Sequence, residues 1–281
     1  MPEGDTVHRT ARVLREELPG RTIDRLELRQ TGEVRELAGR TVESVEAIGK
    51  HVLIAIDGGW TLRVHLGMHG RWRALHARQA RPAGPTALIV AGESAFVCEG
   101  AYRAELIRTA AVRSHPKLAR LGPDLLADPP RIDEAVRRAR LSAHAGREIA
   151  EILLDQRIAA GIGNVYKSEV LFELRIHPRT HVRDIDDQAL HALYAEAARL
   201  MRLNLLTRRR ESVPIRRRPQ PSSVRLWVYG RAGRPCLDCG TRIERFLQGD
   251  MARSTYFCPS CQIRATVSPG HTSSYRVERK T

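Results

Sequence analysis

From residue 5 to 18 the apolar residues fall at helical spacing. Val7, Ala11, Leu14 and Leu18 return every three or four positions among charged neighbours. That period places them on one face of an α-helix, with Asp5 positioned as a capping side chain for its start. From about 22 to 112 the pattern changes. Short runs rich in β-formers at 51–56, 60–66, 87–90 and 95–98 are bounded by Gly, Pro and Asp. Asp57-Gly58-Gly59 between the first two runs predicts a hairpin. Residues 1–112 therefore read as a β-sandwich or barrel carrying one helix. Pro116, Gly122, Pro123, Pro129 and Pro130 then crowd 113–130, which predicts an interdomain linker. Helical spacing resumes at 131–141, 147–156, 164–174 and 187–206. In the last of these Leu190, Leu193, Ala197, Leu200 and Leu203 share a face.

The segment TRRRESVPIRRRPQPSS (207–223) breaks the helical pattern. Six arginines and three prolines predict either a mobile loop able to close on a polyanion or a passive linker. Residues 224–262 form a compact cysteine module, and 263–281 read as a disordered tail. The module holds Cys236-Leu-Asp-Cys239 and Cys258-Pro-Ser-Cys261, a C-x2-C-x18-C-x2-C pattern. Two residues between cysteines let both thiolates of a turn reach one metal, and two such turns complete a tetrahedron. The expected cofactor is one structural Zn2+ on Cys236, Cys239, Cys258 and Cys261, closed to substrate by its four protein ligands. Disulfides or a redox pair are the alternatives. Cys98, in an apolar run, reads as a buried core thiol.

Charge narrows the partner. Across 281 residues, 47 Lys+Arg face 32 Asp+Glu, a formal net charge of +15. A surplus of that size predicts a polyanion, nucleic acid first. Only Lys50, Lys117, Lys167 and Lys280 are lysines and the other 43 cations are arginines. A GC-rich genome and a solvated arginine surface would leave the same imbalance. No apolar run approaches the ~18 residues of a membrane span, and MPEGDTVHRT lacks the apolar core of a secretory signal. The expected location is the cytoplasm, at the nucleoid through DNA.

Two local features have plain readings alone and chemical ones in combination. Arg157-Ile-Ala-Ala-Gly-Ile-Gly-Asn164 separates two helical segments. It is an ordinary turn, or a helix N-terminus whose free N–H groups receive a phosphate while Asn164 caps or donates. Met1-Pro2-Glu3 is unremarkable until Met1 is removed. A secondary amine is then exposed beside a carboxylate, a nucleophile with its proton shuttle.

Several motifs in order carry a resemblance: PEG at the start, GKHVLI (49–54), HLGMHGRW (65–72), LGPDLL (121–126), LLDQRIAAGIGNVYKSEVLF (153–172), VYGR (228–231) and RSTYFCPSCQ (253–262). Over about residues 2–262 the chain resembles the formamidopyrimidine-DNA glycosylase / endonuclease VIII family of base-excision repair, and its PEG start is closer to the endonuclease VIII branch. The resemblance implies an α+β multidomain fold. It comprises an N-terminal β-sandwich with an N-terminal helix (1–112), a helix-two-turn-helix domain (131–223) and a C-terminal zinc β-hairpin (224–262), with DNA bound between the domains. It implies a monomer acting on double-stranded DNA that holds a damaged base or abasic site, with no membrane partner.

By motif, Pro2 is the implied nucleophile, Glu3 the acid/base, and Lys50 and Arg253 the cations that complete the catalytic set. His65, Asn164, Tyr229 and Arg245 match DNA-gripping positions, and Glu169 a supporting carboxylate. Met68 matches the wedge that fills the gap left by an extruded nucleotide; without the resemblance it would read as core. The chain also departs from the family. Thr6 stands where many relatives have Glu. The triplet Gly67-Met68-His69 lacks the usual Gln and Tyr, and 98–106 offers no clear match to the Phe/Arg pair of formamidopyrimidine-type members. Oxidised pyrimidines are the expected lesions, with a formamidopyrimidine or 8-oxoguanine type, or a non-catalytic DNA-binding protein on the same fold, as alternatives. A zinc-containing RNA-binding protein is a further reading, separable by duplex preference.

Overall fold

The computed structural model describes residues 2–79, 84–205, 212 and 224–264. Of the basic segment 207–223 only Ser212 is described, and of the tail 263–281 only Ile263 and Arg264, so the expectations for both lie outside the described residues. The chain divides between Arg120 and Leu121 into two compact units, a boundary inside the 113–130 segment.

The first unit opens with α1 (Gly4–Glu17), whose Val7, Ala11 and Leu14 are buried as the spacing requires. Its N-cap is Glu3 rather than Asp5, and no side chain caps it; Asp5 lies in the first turn and is itself buried. Among the described residues nine strands follow: β1 (Arg25–Leu28), β2 (Gly32–Glu33), β3 (Val42–Ile48), β4 (His51–Ile56), β5 (Trp60–His65), β6 (Arg71–His76), β7 (Ala87–Ala91), β8 (Ser94–Glu99) and β9 (Arg103–Arg108). They form two antiparallel sheets, ordered β2-β1-β7-β8-β6 and β3-β4-β5-β9. One buried cluster takes Leu26, Ile89 and Phe96 from the first sheet, Val45, Ile54 and Val64 from the second, and Val7, Ala11 and Leu14 from α1. This is a sandwich core, in which alternate residues of each strand turn inward and each large aliphatic side chain is worth roughly 1.5–3 kcal/mol. Cys98 belongs to that core, and burial pushes its thiol up to about 12.

The second unit is built on α2 (Ile132–Ala139), α3 (Ile149–Leu154), α4 (Asn164–Glu173) and α5 (Asp187–Leu205), followed by a hairpin of β10 (Glu244–Gln248) and β11 (Arg253–Phe257). Between α3 and α4 the turn is braced by side chains. The Gln156 amide donates to the carbonyls of Leu154 (2.8 Å) and Ile162 (3.0 Å), and its oxygen accepts from the Gly161 N–H (3.1 Å). The Asp155 carboxylate accepts from the Arg157 backbone and guanidinium, which holds its pKa down to about 2. Asn164 to Phe172 of α4 are all buried. A helix enclosed on every side must find partners for its polar residues inside the protein, and those partners build the site described next.

Candidate functional site

In the first unit the candidate residues lie at α1 and at one sheet end. Pro2 and Glu3 precede the first turn of α1; Glu3 is fully buried and its carbonyl accepts from the Val7 N–H at 3.1 Å. The Thr6 hydroxyl donates to the buried Asp5 carboxylate at 3.3 Å. The residue that replaces the family Glu is thus tied to an adjacent acid.

Lys50 occupies the β3–β4 turn. Ile48 pairs directly with His51, so Gly49-Lys50 is a two-residue loop, and Gly49 takes φ +57, a conformation that favours glycine at the first loop position. The next residue, His51, pairs across β4–β5 with His65, their ring centroids 4.7 Å apart. Burial, together with Arg63 and Lys50, lowers the His51 pKa to about 2 and that of His65 to about 4, so both rings are neutral at pH 7. Met68 lies on the turn after β5 and is 54% exposed, which removes the core reading. Gly67 at φ +66 makes this turn possible, since a Cβ there would come within 2.7 Å of Tyr102 Cβ. Tyr102 is itself 79% exposed beside it.

In the second unit the candidates surround α4. Gly163 is its N-cap and Asn164 its first helical residue, so Asn164 does not cap the helix. The buried Glu169 carboxylate accepts from the backbone N–H groups of Trp227 (2.6 Å), Val228 (3.0 Å) and Tyr229 (2.8 Å), and from the Ser212 hydroxyl. Burial raises its pKa and these donors oppose the rise. Glu169 thereby fixes the backbone that presents Tyr229, whose ring lies 4.9 Å from that of Tyr256 on β11. Arg225, Arg231 and Arg234 line a cavity of about 580 Å³ next to Tyr229.

Arg253 is the first residue of β11, opposite Gln248. Arg245, on β10, donates to the Ser254 hydroxyl at 2.9 and 3.1 Å. The two arginines are therefore presented by one rigid two-stranded element. Cys236, Cys239, Cys258 and Cys261 bring their sulfurs within 4.8 Å of one another. Four convergent thiols on two turns can bind one metal ion. Their surroundings are fixed as well: the Cys258 N–H donates to Gln262 Oε1 at 2.9 Å, and Gln262 Nε2 donates to the Ile176 carbonyl at 2.9 Å.

Residues 1–99 match the model of the formamidopyrimidine-DNA glycosylase N-terminal domain, and 121–212 that of the formamidopyrimidine-DNA glycosylase H2TH domain. The chain is 39% identical to the probable endonuclease 8 2 of Streptomyces coelicolor, across 99% of this chain and 100% of that one. The chain belongs to the formamidopyrimidine-DNA glycosylase / endonuclease VIII family. A second member, the DNA-(apurinic or apyrimidinic site) lyase Nei2 of Mycolicibacterium smegmatis, is 36% identical over 93% of this chain and 99% of its own. The family fold is shared with the Lactococcus lactis Fpg solved with abasic-site DNA, at a TM-score of 0.78 and 22% identity, covering 93% of this chain and all of that one.

Within this family frame, each unit gathers its own candidates. Pro2 and Glu3 stand together, as do Lys50 and His65; Asn164, Glu169, Tyr229, Arg245 and Arg253 surround α4 and the hairpin. The sequence reading passed over three participants. His51 sat unremarked in GKHVLI, Gln156 in LLDQR and Lys167 in NVYKSEVLF. For His51 the signal was a polar residue at the head of the apolar run HVLIAI; Gln156 and Lys167 stand among polar and charged neighbours and give no such signal.

Proposed function

We propose that this protein is a bifunctional DNA glycosylase and abasic-site lyase of base-excision repair, acting on double-stranded DNA with oxidised pyrimidines as its favoured lesions. The carrying observation is Pro2 beside a fully buried Glu3 at the amino end of α1, in a chain of this family. The PEG start and the endonuclease 8 name of the Streptomyces relative support the pyrimidine preference.

The chemistry follows from an amine and a carboxylate at a sugar. Loss of Met1 leaves Pro2 as a secondary amine, and an α-amine of ordinary pKa near 8 keeps a nucleophilic, unprotonated fraction at neutral pH. Its lone pair attacks C1′ of the extruded nucleotide while the glycosidic bond breaks and the base departs with its electron pair and a proton. Opening of the sugar ring at O4′, with Glu3 moving the proton, gives an iminium. The iminium acidifies the C2′ proton; its removal expels the 3′ phosphate by β-elimination, and δ-elimination expels the 5′ phosphate when a second proton is lost. Water then releases Pro2.

Lys50 supplies charge at the strand phosphate from its rigid turn, and His65 adds a neutral N–H donor. Met68 fills the vacated stack. Asn164, Tyr229, Arg245 and Arg253 hold the backbone around the lesion, and Glu169 orders the segment carrying Tyr229. The metal is zinc. Bonds of about 2.3 Å in a tetrahedron separate sulfurs by roughly 3.8 Å, and the pairs here lie at 3.4, 3.5 and 3.9 Å. With four protein ligands it is structural. The protein works as a monomer in the cytoplasm, at the nucleoid.

Borohydride tests the intermediate directly. Met1-processed protein mixed with an abasic-site duplex and borohydride gives a covalent adduct. A protein with one extra residue before Pro2 gives none. No adduct from processed protein that binds the duplex would overturn the catalytic reading in favour of binding alone.

A further inference from the structure

Lys167 is fully buried at the centre of α4, and the proposed chemistry does not use it. Its ammonium reaches two elements at once. Nζ donates to the Thr255 hydroxyl at 2.7 Å and to the Ser254 carbonyl at 3.2 Å, both on β11. It also donates to Asn164 Oδ1 at 3.3 Å, one turn back on its own helix. A link then runs onward. The Thr255 hydroxyl donates to Gln248 Oε1 at 2.7 Å, and Gln248 Nε2 donates to Glu148 Oε2 at 2.6 Å, just before α3.

Burying a cation costs free energy that an aliphatic side chain of the same length would not. What the ammonium adds is direction. An ammonium only donates, so the Asn164 atom facing it is the amide oxygen, and the amide NH2 is left as the group Asn164 can offer elsewhere. The same ammonium grips the backbone one residue from Arg253. One buried group therefore sets the orientation of Asn164 and the position of Arg253.

We propose that Lys167 is a positioning residue that holds the Asn164 amide and the Arg253 guanidinium in fixed relation, so that both are presented together to the DNA backbone. This rests on the reading of Asn164 and Arg253 as DNA ligands, and the test separates the two.

Binding of an uncleavable abasic-analogue duplex is measured across a salt series for wild type, Lys167→Met, Thr255→Val, Arg253→Ala, Asn164→Ala and the Lys167→Met/Arg253→Ala double variant. Zinc content and Tm are recorded for each. A phosphate contact made by a cation contributes about 0.9 to the slope of log affinity against log salt. Arg253→Ala lowers the slope by about that amount. Lys167→Met lowers it equally and weakens binding about tenfold at full zinc content, and the double variant shows no further fall in slope. Thr255→Val alters no charge, so a slope change there reports a hairpin cation that has been displaced rather than removed.

A merely structural role would lower Tm and leave the slope of the folded protein untouched. That result for Lys167→Met and Thr255→Val, with Arg253→Ala effective, overturns the proposal. If Lys167→Met does not fold, Thr255→Val decides. If Arg253→Ala and Asn164→Ala both bind like wild type, it is the underlying assignment of DNA ligands that fails.

Discussion

At the scale of single residues, burial of ionisable groups gives the protein a measurable pH signature. His51 is 7% exposed beside His65, with Arg63 and Lys50 adding positive charge. Both histidines have folded pKa values below their unfolded 6.5. The unfolded chain therefore binds their protons first as pH falls. Their stability contribution is complete above about pH 6.5 and is lost as pH drops towards 4 for His65 and on towards 2 for His51. One proton of difference is worth about 1.4 kcal/mol per pH unit. His51→Phe keeps a buried ring without the titration. Unfolding stability of that variant between pH 6.5 and 4 should fall less steeply than wild type, by about 1.4 kcal/mol per pH unit. Equal slopes would place His51 in a polar environment that the packing contradicts. Pro2, Glu3 and Lys50 stand out as candidates in the sequence because each sits in a contiguous motif. His51 and Lys167 do not, because their partners are 14 and 88 positions away at His65 and Thr255. A one-dimensional pattern records the side chain and not the neighbour across the sheet or on the next element.

At the scale of elements, strong periodicity was enough and weak burial was not. The helices read at 131–141, 147–156, 164–174 and 187–206 appear as α2 to α5 with ends that differ by at most two residues. Caps and turns take up those ends. Strands β4, β5, β7 and β8 were visible because each is a short run of β-formers buried over almost its whole length. β6 escaped notice: it is an edge strand with mostly exposed residues, RWRALH, and lacks a clean inward face. β2 is two exposed residues defined only by its pairing with β1. The cysteine hairpin was the most legible element, since ligand spacing constrains it more tightly than hydrophobicity. It also carries its own prediction. The small buried cluster beside the hairpin takes Phe172, Trp227, Val228, Cys236, Ile243 and Cys258, with Tyr256 of β11 packed against it, too few side chains to hold an isolated hairpin. Removing the metal that the four cysteines can hold, with a chelator, should release the hairpin, displace Arg245 and Arg253 together, and weaken DNA binding by tenfold or more while the β-sandwich keeps its far-ultraviolet signal. Normal binding by a sample verified as metal-free would show that the hairpin stands on Lys167, Gln248 and Gln262 alone.

At the scale of the whole molecule, the net charge of +15 has two sources that sequence arithmetic does not separate. A GC-rich genome scatters arginines over any surface, whereas a DNA-binding protein aligns them with phosphates. Many described arginines are already engaged in ion pairs. Arg63 and Arg103 meet Glu105, Arg138 meets Glu134, Arg157 meets Asp155 and Arg199 meets Glu196. Such cations are neutralised locally and release few counterions on binding. The charge that matters is the remainder, and its size is a slope rather than a sum. If six or so phosphates of an undamaged duplex are neutralised, affinity falls roughly a thousandfold between about 50 and 200 mM salt. The borohydride-reduced adduct, held by a covalent bond, survives the same wash. Undamaged-duplex affinity that changes less than about threefold over that range would assign most arginines to solvated surface. It would also leave lesion capture to the few oriented groups: Lys50, His65, Asn164, Arg245 and Arg253. A steep slope with a salt-resistant adduct separates the two layers physically. On that outcome diffuse charge would bring the protein to DNA, and the proposed short-range set beginning at Pro2 would act once a damaged nucleotide has left the stack.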